Sequence, residues 1–164
     1  DSFGPVVIHE GGGHGFGRLL DEYRYYAAEL PSDDKNSIKS WRSKDPYYGY
    51  NLDLTGDRNK VHWAHYFDRP GYEAVSMYEG GCLYEYGVWR PEYISCMEDN
   101  RAYYNAPSRE AIVRRIMRAS GKTFNMEDFI SKDKIRSEKG APQTRTDYVT
   151  EAFVPFAPPI RVER

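Results

Sequence analysis

The sequence predicts an α+β fold, mainly helical, and three observations carry that expectation. Val6-Val7-Ile8 before and Leu19-Leu20 after a run of histidines and glycines read as a buried helix rather than a loop. Ile112, Val113 and Ile116 form an apolar stripe, and Gly121 follows as a stop, since glycine takes the left-handed conformation without steric cost. From Tyr72 to Trp89 the chain is rich in Tyr and Val and broken by glycines, which fits a helix or short strands, and periodicity does not choose between them.

Taken in order, the first helix is expected from about Pro5 to Gly17, with Pro5 well placed in a first turn. A second is expected over Leu19 to Leu30, ended by Pro31. Residues 31–57 are polar, with Ser32-Asp33-Asp34, Asp45-Pro46 and Thr55-Gly56-Asp57 as turn signals, and read as a long surface loop. A short helix is expected over Lys60 to Phe67, another capped by Ser108, and a last one capped by Asn125 and running through Ile130. Residues 1–131 form the main unit, and 132–164, charged and rich in proline, read as an extended tail that packs back through Phe153 and Phe156.

Composition limits the function. At 164 residues the chain is one domain with room for a real core, and a net charge of -2 gives no basic stripe for nucleic acid. No apolar run is long enough to span a membrane. Cys82 and Cys96 permit one disulfide without requiring it. Fifteen tyrosines offer a hydrogen-bonding aromatic surface able to line a peptide or glycan cleft, although core edges are the ordinary place for tyrosine.

Chemistry concentrates in His9-Glu10-Gly11-Gly12-Gly13-His14. Zinc is held by imidazole, thiolate or carboxylate, and a catalytic site supplies three protein ligands and leaves one position open for water. In the helical HExxH arrangement two histidines share a face, and the Glu beside the first reaches that water. Here the second histidine comes one residue later, which in a regular helix rotates the side chains roughly 140° apart. A π-bulge absorbs the extra residue, so one is expected between His9 and His14. Three glycines cost a helix about 2–3 kcal/mol relative to alanines, hard to justify in mere scaffold. Asp21, seven residues after His14, reaches the same metal only if the helix turns near Gly17, and Glu22 is its rival as third ligand. Asp21 can alternatively hydrogen-bond a ligand histidine.

This stretch resembles the IgA peptidase family of zinc metallopeptidases, a metzincin-like group: His9, Glu10, His14, Gly17, Asp21, Glu22 and Tyr23 follow its motif, with one extra glycine between the histidines. The lengthened HExxGH form also resembles the helix motif of dipeptidyl peptidase III. Resemblance continues through Trp63-Ala64-His65-Tyr66-Phe67, Tyr78-Glu79-Gly80-Gly81-Cys82-Leu83-Tyr84 and Gly87-Val88-Trp89-Arg90-Pro91-Glu92-Tyr93-Ile94-Ser95-Cys96-Met97, covering roughly residues 5–120. It implies that Met97 is the Met-turn residue, a polarizable floor under the ligand histidines, where an ordinary core methionine is the alternative. It also implies the C-terminal, mainly helical portion of a metzincin-like catalytic domain, whose β-sheet is expected in an upstream part absent from this chain. A secreted, cell-surface or periplasmic bacterial setting follows from the same resemblance.

The expected activity is zinc-dependent hydrolysis of a protein or peptide substrate, with Zn2+ on His9, His14 and Asp21 and with Glu10 as general base on the zinc-bound water. His65, Glu79 and Tyr104 are candidate substrate-binding residues, and Tyr103 or Tyr104 a candidate oxyanion partner. His62 and His65, at helical spacing, can complete a metal site or line the cleft, but are more commonly hydrogen-bonded structural histidines. Two other readings stay open: a non-catalytic glycan- or protein-binding module on a peptidase-like scaffold, and a zinc aminopeptidase with Glu79 gripping the substrate amine.

Overall fold

The computed structural model describes residues 3–133. The proline-rich stretch with Phe153 and Phe156, and its expected packing, lie outside the described residues. The fold is mixed α+β. Helix α1 (Phe3–Val7) continues into a π-helical segment, Ile8–Gly17. There follow β1 (Arg24–Glu29), α2 (Ser32–Lys44), a 3₁₀ turn at Ala64–Tyr66, β2 (Tyr78–Gly81), β3 (Leu83–Arg90), α3 (Cys96–Asp99), α4 (Ala106–Ala119) and α5 (Met126–Lys132). No helix among the described residues is long and apolar enough to cross a membrane.

The expected bulge is thus a whole π segment. Its i→i+5 hydrogen bonding makes residues five apart successive on one face, which is the spacing of His9 and His14. The segment ends where Arg18, at φ 55°, donates its backbone N–H to the Gly13 carbonyl. The chain turns near Gly17 as expected, but the left-handed residue is Arg18. Gly17 is needed for space: a Cβ there would lie 3.0 Å from the Gly12 carbonyl oxygen and 3.2 Å from Ile112.

Three expectations are corrected. Residues 19–30 are not a helix: they turn back and leave as β1, which pairs in parallel with β3 at Arg24↔Leu83 and Tyr26↔Tyr84. Tertiary pairing and the tyrosines outweigh the helical preference of Ala27 and Ala28. Residues 31–57 are not all loop, because Ser32–Lys44 is helix α2. It buries only Ile38, so it lacks the apolar stripe that would have announced it. Asp33 and Asp34 in its first turn and Arg42 and Lys44 in its last complement the helix dipole. The helix expected over Lys60 to Phe67 reduces to turns and the short 3₁₀ piece.

Over 72–89, strands are formed. β2 and β3 make an antiparallel hairpin with Tyr78 opposite Arg90, and the sheet order is β1-β3-β2. Helix α4 is capped by Asn105, whose side chain accepts from the Ser108 N–H; Ser108 sits inside the first turn. Gly121, at φ 68°, follows its end as expected. Asn125 does cap α5, which runs on to Lys132. Asp133, just beyond, is buried and takes two hydrogen bonds from Arg109.

The core has three parts. Val61, Trp63, Tyr66, Tyr72, Val75, Ala106 and Phe129 form the first. Leu30, Ile38, Leu52 and Val88 join α2 to the sheet. Leu19, Met97 and Ala111 lie together, with Tyr104 and Ile112 packed against them, and link the π segment, α3 and α4.

Candidate metal centre

Two histidines on one face and a carboxylate brought back by the turn meet at a point. Nε2 of His9 and Nε2 of His14 are 3.2 Å apart, and each is 3.0 Å from Oδ1 of Asp21. A tetrahedral zinc with bonds of about 2.0–2.1 Å places its ligand atoms roughly 3.3 Å apart, so this triangle has nearly the required size. It is the one such group found among the described residues.

The opposite nitrogens decide what the triangle can hold. His9 Nδ1 donates to the Cys96 carbonyl at 2.8 Å, and His14 Nδ1 donates to the Leu19 carbonyl at 2.8 Å. A carbonyl only accepts, so the Nδ1 protons are committed outward, and in the neutral tautomer this fixes, each ring turns an Nε2 lone pair towards Asp21. Three acceptors then converge with no donor among them, and a proton or a metal cation must sit between them. With a proton there, burial opposes charge on His14, yet the hydrogen bond and charge of Asp21 outweigh it and raise its pKa. Burial likewise opposes ionisation of Asp21, but hydrogen bonds from His14 and His9 prevail and lower it to about 2. Donor types, size and anchored rings all fit zinc.

Glu10 and Glu22 have divided roles. Glu10, beside His9, is exposed, and its charge is felt by both His14 and Tyr23. Glu22, the expected rival of Asp21, is fully buried and directed elsewhere. Its Oε1 accepts from the Asn51 and Asn105 amides, each at 2.7 Å, and its Oε2 accepts from Ser95 Oγ at 2.7 Å. Burial pushes its pKa up to about 7 in spite of those bonds.

The glycine run has a steric cause. A Cβ on Gly13 would lie 2.4 Å from Met97 Sδ, and one on Gly12 would lie 2.5 Å from the Tyr104 hydroxyl. Met97 is fully buried and presses its sulfur against the backbone between the two histidines, where a floor under them is expected to sit. On Gly11 a Cβ would meet nothing.

Other expected site residues are placed differently. Tyr104 donates its hydroxyl to the Ile8 carbonyl, and Tyr103 donates to Glu92 in the interior. Both hydroxyls are therefore occupied within the fold. His65 pairs with Glu110 at 2.9 Å, and His62 with Asp53 at 3.0 Å. Glu79, exposed on β2, accepts from the Gly87 N–H at 3.0 Å. None of these joins the triad. Cys82 and Cys96 are free thiols, each pushed up to about 12, chiefly by burial.

The tyrosine beside the triad is Tyr23, for which the sequence alone indicated no task. Its hydroxyl hydrogen-bonds Asp21, and its ring stacks 6.3 Å from that of His9. Burial and the neighbouring Asp21 charge push its pKa well above the ordinary tyrosine value, so it stays a neutral donor. Its position two residues after Asp21 was the available signal. The carbonyls of Cys96 and Leu19 had none, because every residue carries one. No protein-family model matches the chain, and a search of curated proteins finds no match.

Proposed function

We propose that this chain carries the metal-binding portion of a zinc peptidase active site, on a metzincin-like scaffold in which Met97 is the floor beneath the histidines. The observation that carries the reading is the convergence of His9 Nε2, His14 Nε2 and Asp21 Oδ1, all three acceptors, beside an exposed glutamate. His9, His14 and Asp21 hold the metal. When bound, zinc polarises a scissile carbonyl and lowers the pKa of water towards neutrality. Glu10, next to His9, takes the proton of the attacking water and delivers it to the departing amine nitrogen. Tyr23 keeps Asp21 oriented and neutralises none of its charge. The substrate is a protein or peptide.

Glu79 is engaged by Gly87, which supports an endopeptidase over an enzyme that grips a free amine. Peptides with an acylated N-terminus separate the two, since an aminopeptidase rejects them. The direct test is elemental analysis with turnover, on protein that includes any native upstream sequence. About one zinc per chain is expected, lost in His14→Ala and kept in Glu10→Gln, whose turnover falls by roughly 10²–10⁴-fold. Absence of zinc from the wild type would transfer the reading to a non-catalytic binding module.

A further inference from the structure

Building on the zinc reading, we infer that Glu22 is a positioning residue of the metal centre, tying the third-ligand loop to the Met97 turn through Ser95. Both backbone polar groups of Met97 trace back to this one residue. The Met97 carbonyl accepts from the Glu22 N–H at 2.7 Å. Its N–H donates to Ser95 Oγ at 3.0 Å, and that same hydroxyl donates its proton to Glu22 Oε2 at 2.7 Å.

The clasp touches the triad from two sides. Asp21 precedes Glu22 in the chain, so fixing the backbone at Glu22 fixes the direction from which Asp21 approaches. On the other side, the residue between Ser95 and Met97 is Cys96, whose carbonyl holds the Nδ1 of His9. Met97 itself carries the sulfur that supports Gly13. Two of the three metal-facing atoms therefore depend on the Glu22–Ser95 contact for their orientation. A buried carboxylate whose three hydrogen-bond donors among the described residues are all neutral is an expensive way to hold a loop, and partners of metal ligands commonly govern affinity by 10–100-fold.

The test uses the whole chain, stripped of metal and titrated with zinc against a chromophoric chelator, with the thermal midpoint of the metal-free form recorded alongside. Glu22→Gln and Ser95→Ala are each expected to weaken zinc about tenfold, and the double variant to weaken it little further. Tyr72→Phe removes a buried hydrogen bond to Asp133 away from the triad; it is expected to lower the midpoint while leaving zinc affinity within about twofold. If Glu22→Gln fails to fold, Ser95→Ala alone carries the test. Wild-type affinity in a folded variant, or a double variant weakened by the full product of roughly 100-fold, overturns the inference while the zinc reading stands. A wild type that takes up no zinc removes both.

Discussion

Gly12 and Gly13 are small because of what rests on them, and this gives the site its sharpest prediction at the scale of single residues. Gly13→Ala forces Met97 Sδ or the helix backbone to move, which costs about 1–3 kcal/mol for an overpacked interior. Gly11→Ala, one turn edge away, meets nothing and has no left-handed backbone to oppose it, so it is expected to be at least as stable as the wild type. Thermal unfolding of the two variants checks the contrast. Equal losses would mean that glycine is needed for helix flexibility rather than for the closeness of Met97. The meeting of His9, His14 and Asp21 was legible in the sequence because imidazoles and a carboxylate at such spacing are few among residue types. What steers them was not: backbone carbonyls leave no trace in composition, and Glu22 carries the same carboxylate as a ligand while facing the interior.

Among the elements, those with a physical signature of their own could be read and those made by their neighbours could not. The π segment was visible in the five-residue histidine spacing, α5 in Asn125, and the end of α4 in Gly121. Strand β1 exists because β3 lies beside it, and α2 rests on charge placement with one buried apolar residue, so neither left a periodic stripe. The two asparagine caps offer a test at this scale. Asn105 caps α4 and also donates to Glu22 in the interior, whereas Asn125 caps α5 at the surface. Asn105→Ala is expected to cost about 2–3 kcal/mol and Asn125→Ala about 1 kcal/mol, measured by denaturant unfolding. Similar values for the two would mean that the bond to Glu22 contributes little to stability.

For the molecule as a whole, Glu110 is the point where the first core meets α4. It is buried and takes hydrogen bonds from His65, Tyr66, Tyr50 and Arg114. Burial opposes its ionisation, but His65 and then Arg114 prevail and lower its pKa below the ordinary 4.5. A carboxyl lowered in the folded state contributes stability that is present above its unfolded pKa and lost as pH falls through the folded value. Wild type should therefore exceed Glu110→Gln by about 2–3 kcal/mol at pH 7. The gap should narrow as pH drops below the ordinary 4.5, as followed by thermal unfolding across that range. A gap that stays constant into acid would assign the loss to packing instead of charge. The bond from His9 to Cys96 spans 87 residues of chain, whereas the two histidines are only five apart. During synthesis the histidines and Asp21 emerge together, long before the carbonyl that orients His9 and the sulfur that underlies Gly13. Contacts so distant in sequence close slowly, and a growing chain holds an unoriented ring at His9 until the segment around Cys96 has docked. On the zinc reading, metal capture is thereby timed to the arrival of the segment around Cys96 and Met97, which keeps a half-made chain from fixing a cation in the wrong geometry.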